Sequence, residues 1–274
     1  PIYVIMDRGI PNLGNTCYLN SILQCLRYCE HLVCPLLKHD SSRDSAVHRH
    51  MVDLLFASAP VSVLKAFVQE LAVANPEFRL LRQCDSHELF IYLMDSFFTT
   101  HKQYKNPYEG RYDSFIACQT CQHVSKTSYP FVSVSVEMEL GKVHDIEALL
   151  TRFSMEERLD DRITCDLCKT KRESTKRIEI GKAGKCLAIH LKRFQGSRKI
   201  CTPVRLSPTI AVNGDTFTLY AISNHMGSVR GGHYTASVKK KSGEWMMCND
   251  SFVTTLNCLP TQSAEAYVLF YVKR

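Results

Sequence analysis

The residue best placed to act as a nucleophile is Cys17, in the run Asn12-Leu13-Gly14-Asn15-Thr16-Cys17-Tyr18-Leu19-Asn20-Ser21. Leu19, Ile22, Leu23 and Leu26 follow at helical spacing, which puts the thiol in the first turn of a helix over residues 17–28. The positive end of the helix dipole favours thiolate, the reactive form. A thiol nucleophile needs a base and a group that orients the base. His233, in Gly231-Gly232-His233-Tyr234, is the base candidate. The glycines before it allow a substrate backbone to come close, and they permit unusual dihedral angles that would aim the ring. Asn249 and Asp250 follow Trp245–Cys248, and a hairpin out through Lys240–Gly243 and back would carry them beside His233. Asn would orient the imidazole without adding charge, and Asp would also stabilise imidazolium; the pair is equally good turn chemistry. Asn12 is a candidate oxyanion donor together with the Cys17 backbone N–H, a contribution of roughly 3 kcal/mol where such donors act. Its plainer reading is a turn residue after Pro11.

A second set of residues suits a metal. Cys118-Gln119-Thr120-Cys121 and Cys165-Asp166-Leu167-Cys168 are two identical Cys-x-x-Cys knuckles. Four thiolates arranged tetrahedrally suit a structural Zn²⁺, with no open position for a catalytic water. The spacing between the knuckles exceeds that of compact zinc ribbons and leaves room for a strand pair and a helix. Buried free thiols or redox pairs are the alternatives. Polar turn residues around both pairs argue against burial, and neither pair opens a thioredoxin-like helix.

The elements that must position these groups change character along the chain. The first third is helical. Val61, Leu64, Phe67, Val68 and Leu71 share one face over 61–73, and Leu89, Leu93, Met94 and Phe97 share one over 86–100. Asp85 with Glu88 reads as a capping box. After Asn106-Pro107 the pattern alternates over Arg111–Cys118 and Phe131–Met138, with a short helix carrying Ile146, Leu149, Leu150 and Phe153. Strands are expected at Ser174–Ile180, Cys186–Leu191, Phe217–Ser223, Tyr234–Lys239, Glu244–Cys248 and Ala266–Val272. A helical lobe followed by a β-rich lobe gives an α+β fold, with a cleft at the seam.

The chain has 274 residues, enough for one large domain or two small ones. No apolar run approaches the roughly 20 residues that span a bilayer. Pro1–Met6 is too short for a secretory leader and lacks an initiator Met, so a fragment is expected. The net charge of +7 reads mainly as solubility, and Lys239-Lys240-Lys241 as a solvated hairpin end before Ser242-Gly243. Thirteen cysteines, with Cys25, Cys29, Cys34, Cys84, Cys186, Cys201, Cys248 and Cys258 mostly in apolar stretches, fit a reducing, intracellular compartment, cytoplasmic or nuclear.

Taken together, these residues resemble the ubiquitin-specific protease family of papain-like deubiquitinases, from about Gly9 to Tyr271. The resemblance rests on five boxes in the family order. They are Gly9–Ser21; Gln83-Cys84-Asp85-Ser86-His87-Glu88-Leu89; the two knuckles; Leu187–Phe194; and Tyr220 through His225, Gly231–Tyr234, Trp245 and Asn249-Asp250, closed by Ala266–Tyr271. Ile10-Pro11 is a small departure that stiffens the turn, and the chain is short for the family.

The resemblance implies a single domain of thumb (about 9–107), zinc-bearing β fingers (about 108–182) and palm (about 183–274), with a helix at 144–153 where palm and fingers meet. Ubiquitin would rest on the fingers with its tail between thumb and palm. Cys17 matches the nucleophile, His233 the base, Asn249 the third triad position, Asp250 a neighbouring acid that shares the orienting role, and Asn12 the oxyanion donor. Asp85 matches an acid that contacts the basic tail, and Glu88 is a weaker candidate whose capping role is a complete alternative. His225, Gly232 and Tyr234 match positions along the tail channel, and His190 a structural strand position. Cys118, Cys121, Cys165 and Cys168 would hold one structural zinc per chain. The expected partner is ubiquitin or a ubiquitinated protein, with no membrane or nucleic acid, and the protein is expected to be a monomer.

A narrow channel excludes tails that carry side chains where ubiquitin has Gly-Gly. Three rival readings remain: a pseudo-enzyme that binds ubiquitin without cleaving it, a protease for a ubiquitin-like modifier, and a zinc-ribbon nucleic-acid binder. The last lacks an aromatic and basic platform near the knuckles.

Overall fold

The computed structural model describes residues 7–37, 39, 40, 42, 44–56, 59–79 and 81–274. The reading of Pro1–Met6 lies outside the described residues. The apolar stripe behind Cys17 forms α1 (Cys17–Arg27), with Leu19, Ile22, Leu23 and Leu26 fully buried. All 11 residues of α1 are buried, so its polar side chains need internal partners. Asn20 donates to the carbonyl of Ile10 at 3.1 Å and Gln24 to that of Arg8 at 2.7 Å, which fastens the chain before Cys17 along the helix.

Two helices arise where the sequence suggested none. α2 (Glu30–Leu36) contains Pro35, and α3 (Ala46–Phe56) carries a run of His and Arg through its first turns. Both are short amphipathic pieces whose buried faces, Leu32, Val33 and Leu36, and Val47, Met51, Val52, Leu54 and Leu55, are selected by packing. α4 (Val61–Ala74) buries Leu64, Phe67, Val68 and Leu71, while Val61 is exposed at its first position. α5 (Ser86–Thr100) begins as the sequence indicates: Asp85 accepts from the backbone N–H of His87 at 2.7 Å and of Glu88 at 3.3 Å.

The helices cover one face of an eight-stranded sheet. Its path runs Phe252–Leu256, Trp245–Asn249, Gly231–Lys239, Asp215–Ser228, Ala266–Lys273, Cys186–Lys192 and Ser133–Glu137, with Thr209–Val212 beside Asp215–Ser228. Only the Ser133–Glu137 edge is parallel to its neighbour. Val268 and Phe270 point into the helical core, and Leu269 and Tyr271 into a second core capped by α6 (Ile146–Phe153). Burial on both faces is why Ala266–Val272 reads as an almost unbroken apolar run.

A separate antiparallel sheet of Val124–Phe131, Gly110–Cys118, Ser174–Lys182 and Glu157–Arg158 carries the first cysteine knuckle, and the second is the turn of a two-stranded hairpin, Ile163–Thr164 with Lys171–Arg172. The strand expected at Phe131–Met138 is Ser133–Glu137 in the large sheet, and Phe131 instead ends Val124–Phe131, a strand of the knuckle sheet that the sequence did not suggest. The helix expected from residue 144 starts at Ile146. His144–Asp145 is a short strand, and the Asp145 side chain caps the helix by accepting from the Ala148 N–H at 2.7 Å. Lys240–Gly243 is the expected hairpin turn, but its lysines are paired, Lys240 with Asp7 and Glu244 and Lys241 with Glu30. Among the described residues no helix is long and apolar enough to cross a membrane.

One buried cation ties the large sheet to the loops beneath it. Arg193, 0% exposed, donates to the carbonyls of Ala266, Ile200, Thr202 and Ser263 at 2.6, 2.9, 2.8 and 3.1 Å. Lysine keeps the charge but cannot span four acceptors set in a plane. Arg193→Lys is expected to lower stability by about 2 kcal/mol, read as a lower denaturant midpoint at unchanged slope.

Candidate active site

The head of α1 packs against the start of strand Gly231–Lys239, and this brings Cys17 to the residues around His233. Cys17 is 3% exposed. The backbone N–H of Tyr234, the residue after His233, faces the sulfur closely enough to favour its thiolate. His233 Nε2 lies 2.7 Å from Asn249 Oδ1 and 3.9 Å from Asp250 Oδ2. The amide oxygen can only accept, so Nε2 carries the proton and Nδ1 of the neutral ring is left as the free lone pair. Asn249 is therefore the orienting contact.

Asp250 does a different job. Its Oδ1 accepts from Asn20 Nδ2 at 2.7 Å, its Oδ2 from Asn12 Nδ2 at 3.0 Å, and its backbone oxygen from the Ile10 N–H at 2.8 Å. The residue takes a left-handed φ of 49° in the two-residue loop between Asn249 and Phe252. The turn reading and the site reading of Asn249-Asp250 both hold: the turn aims one side chain at the imidazole and the other at the nucleophile loop. Asn12 spends one amide hydrogen on Asp250, and its Oδ1 accepts from Gly14 N at 2.9 Å and Thr16 N at 3.2 Å. It organises the loop and keeps one amide hydrogen uncommitted.

The expectation of a ready thiolate is overturned. Burial pushes the Cys17 thiol above its ordinary value; the backbone N–H of Tyr234 opposes this, and the Asp250 carboxylate adds to it. A helix N-terminus contributes about 1 kcal/mol or less, which loses to the removal of water. Burial and the nearby carboxylate both favour the thiol.

The two glycines also act otherwise than expected. Neither has a positive φ. A Cβ on Gly232 would lie 2.2 Å from the Met226 carbonyl oxygen and 2.3 Å from His225 Nε2, whereas one on Gly231 meets nothing nearer than 3.5 Å. Gly232 is there for close approach. His225 lies beneath it, 4% exposed, packed against Phe194, Tyr234 and Tyr267, and burial with Lys199 and His233 nearby holds it down at about 4. Tyr234 is buried in the same aromatic group.

Asp85 is half-buried and already engaged, since Oδ1 caps α5 and Oδ2 accepts from the Tyr267 hydroxyl. Glu88 is exposed, and burial together with the Asp85 carboxylate raises its pKa. His190 stacks on His87 at 3.8 Å, in keeping with the structural reading.

The sequence reading gave no role to two further residues. Asn20, three positions after Cys17, shares its face of α1 and holds Asp250; helical spacing alone could have flagged it. Gln83 reaches across the seam and pairs with the Gly232 backbone in both directions, accepting from its N–H and donating to its C=O, each at 2.9 Å. Its place two residues before Asp85 was the only signal.

The four knuckle cysteines converge, with their sulfurs within 4.8 Å of one another. The turns are equivalent. In one, Cys118 N–H donates to His123 O and Gln122 N–H to Cys118 O; in the other, Cys165 N–H donates to Thr170 O and Lys169 N–H to Cys165 O. Gln122 and Lys169 share a left-handed φ of 59° and 56°. The backbone N–H of Cys121 holds Cys118 down at about 6, while the Cys121 sulfur pushes Cys168 up to about 12. The Cys121 and Cys165 sulfurs are 3.6 Å apart, close to the edge of about 3.8 Å that a tetrahedron with Zn–S of 2.3 Å requires. The donor set fits a metal ion.

Comparison with known proteins agrees with this arrangement. The family model described as ubiquitin carboxyl-terminal hydrolase matches residues 8–271. Ubiquitin carboxyl-terminal hydrolase 23 of Arabidopsis thaliana is 29% identical, over 97% of this chain and 35% of its own length. Ubiquitin carboxyl-terminal hydrolase 2 of Homo sapiens is 28% identical, over 96% of this chain and 54% of its own. The chain thus spans about a third to about half of these relatives. Among solved structures, the SAGA DUB module Ubp8/Sgf11/Sus1/Sgf73 bound to monoubiquitin superposes with a TM-score of 0.85 at 23% identity, over 97% of this chain and 69% of that one. The same module bound to ubiquitin aldehyde gives 0.85, over 100% and 71%. The chain belongs to the ubiquitin carboxyl-terminal hydrolase family, with the α+β papain-like fold of thumb, fingers and palm.

The Asp250 charge raises the thiol, so its neutral isostere should lower it. In a pH series of Cys17 alkylation, the midpoint is expected above the roughly 8.5 of a free cysteine and is expected to fall in Asp250→Asn. Gly232→Ala is expected to disable the site, while Gly231→Ala keeps its fold and its thiol titration.

Proposed function

We propose that this chain is the catalytic unit of a thiol-dependent deubiquitinase that hydrolyses the peptide or isopeptide bond after the C-terminal glycine of ubiquitin. The observation that carries the reading is the joint across the seam: the head of α1 with Cys17 packed on the strand Gly231–Lys239 that carries His233, and His233 bonded to Asn249 at 2.7 Å. His233 Nδ1 takes the Cys17 proton, and the thiolate attacks the glycine carbonyl. The Cys17 backbone N–H and the uncommitted Asn12 amide hydrogen stabilise the oxyanion. Imidazolium, held by Asn249, then protonates the leaving lysine amine, and water releases ubiquitin from the thioester.

The Gly232 peptide is the natural partner for the tail's backbone. Gln83 occupies its N–H and C=O in the resting structure, and the tail takes them over. Asp85 and Glu88 at the rim supply carboxylates for the tail's arginines, and His225 and Tyr234 form the floor under Gly232. We assign the thumb to about 9–107, the fingers to about 108–182 and the palm to about 183–274, with Ile146–Phe153 where fingers and palm meet. The four cysteines of the fingers hold one structural zinc. A monomer in a reducing intracellular compartment suits a chain whose 13 cysteines are all free.

Turnover of a ubiquitin C-terminal fluorogenic amide tests the reading. Wild type is expected to be active, with Cys17→Ala and His233→Ala each below about a thousandth of it and Asn249→Ala less severely affected. A wild type that binds ubiquitin yet is neither active nor labelled by a C-terminal electrophilic ubiquitin probe would be a pseudo-enzyme. One that turns over only another modifier's tail would be a protease for that modifier.

A further inference from the structure

Away from the cleft, where the ends of three helices meet, three imidazoles and a carboxylate crowd together with no part in the chemistry above. His39 follows α2, Asp44 precedes α3, His48 sits in the first turn of α3, and His101 caps the end of α5. They are withdrawn from solvent: the side chains of His39, Asp44 and His101 are 6%, 4% and 9% exposed, and His48 is 4% exposed. Buried polar groups at this density need a common reason.

Their ligand atoms face one another. His39 Nε2 is 2.7 Å from Asp44 Oδ2, His101 Nε2 is 3.6 Å from Asp44 Oδ1, and His48 Nδ1 is 3.2 Å from His101 Nε2. The ligand atoms of His39, Asp44 and His101 all lie within 4.8 Å of one another. The edge of a tetrahedron with Zn–N of 2.0–2.1 Å is about 3.3 Å, so the 3.6 Å between His101 Nε2 and Asp44 Oδ1 is already close to a ligand–ligand edge.

The outward nitrogens of His39 and His48 have hydroxyl partners. His39 Nδ1 is 3.2 Å from the Tyr104 hydroxyl, and His48 Nε2 is 2.9 Å from Ser96 Oγ. A hydroxyl can accept as well as donate. Each can therefore take the N–H of its imidazole and leave the inward nitrogen unprotonated, which is how metal-bound histidines are held.

We propose that His39, Asp44 and His101 bind a zinc ion of their own, separate from the one at the four cysteines, with His48 beside it. Two imidazoles and a carboxylate are borderline donors that suit Zn²⁺. The three side chains are withdrawn from water and lie away from the cleft, so the ion is structural. It clamps the connection between α2 and α3 to the C-terminus of α5, and so braces the helical lobe that carries Cys17.

Metal analysis and zinc-edge X-ray absorption of the untagged wild-type chain, loaded with Zn²⁺ and dialysed, test this without reference to activity. Two zinc ions per chain are expected, with a mixed first shell of sulfur near 2.3 Å and nitrogen or oxygen near 2.0–2.1 Å. His39→Ala with His101→Ala is expected to keep one zinc with an all-sulfur shell. One zinc per chain with an all-sulfur shell in the wild type overturns the proposal, and so does a mixed shell that survives the double substitution. If the double variant does not fold, the wild-type count and shell decide alone.

Discussion

The site depends on one carboxylate accepting two amides from a distant part of the chain. Asp250 receives Asn12 and Asn20, 238 and 230 residues earlier, on its two oxygens, and receives the Ile10 N–H on its carbonyl. These bonds fix the loop before Cys17 and the helix behind it to the turn whose other residue orients His233. Nucleophile and base are thereby set in register across a seam between helices and sheet that would otherwise be joined mainly by non-directional packing. The same charge raises the thiol it positions. Geometry is secured at the expense of thiolate.

Adjacent residues divide the labour. Asn249 meets His233 because the strand ends there, and Asp250 turns away because its backbone enters the left-handed region. A similar economy operates at Gly232. The absence of a side chain lets the strand lie directly on His225 and the Met226 carbonyl, and it leaves the peptide's own N–H and C=O facing the seam, where Gln83 meets them. That pairing is what a substrate backbone would make, so a closed seam and a bound tail satisfy the same groups.

The knuckle sheet has a use for a metal ion. Strand Val124–Phe131 buries only its final residue, so this extension has little core of its own. An ion held by the four converging thiols would replace the missing apolar burial at its tip.

Much of this was legible in the residues. Helical spacing gave α1, α4, α5 and α6, alternation gave most of the large sheet, and the paired Cys-x-x-Cys spacing gave a four-thiol cluster whose two turns match bond for bond. α2 and α3 were not legible, because short segments with Pro35 or a His-Arg run become helices only when a core selects one face. The residue types able to do the chemistry were set by local sequence: Cys17 at a helix head, His233 after two glycines, Asn249-Asp250 in a turn. Tertiary structure alone decided which of that pair meets His233, that burial works against the thiolate, and that Gln83 and Asn20 lie beside these residues. Each of those depends on distance and on exclusion of water between segments far apart in the chain, and no local pattern encodes either.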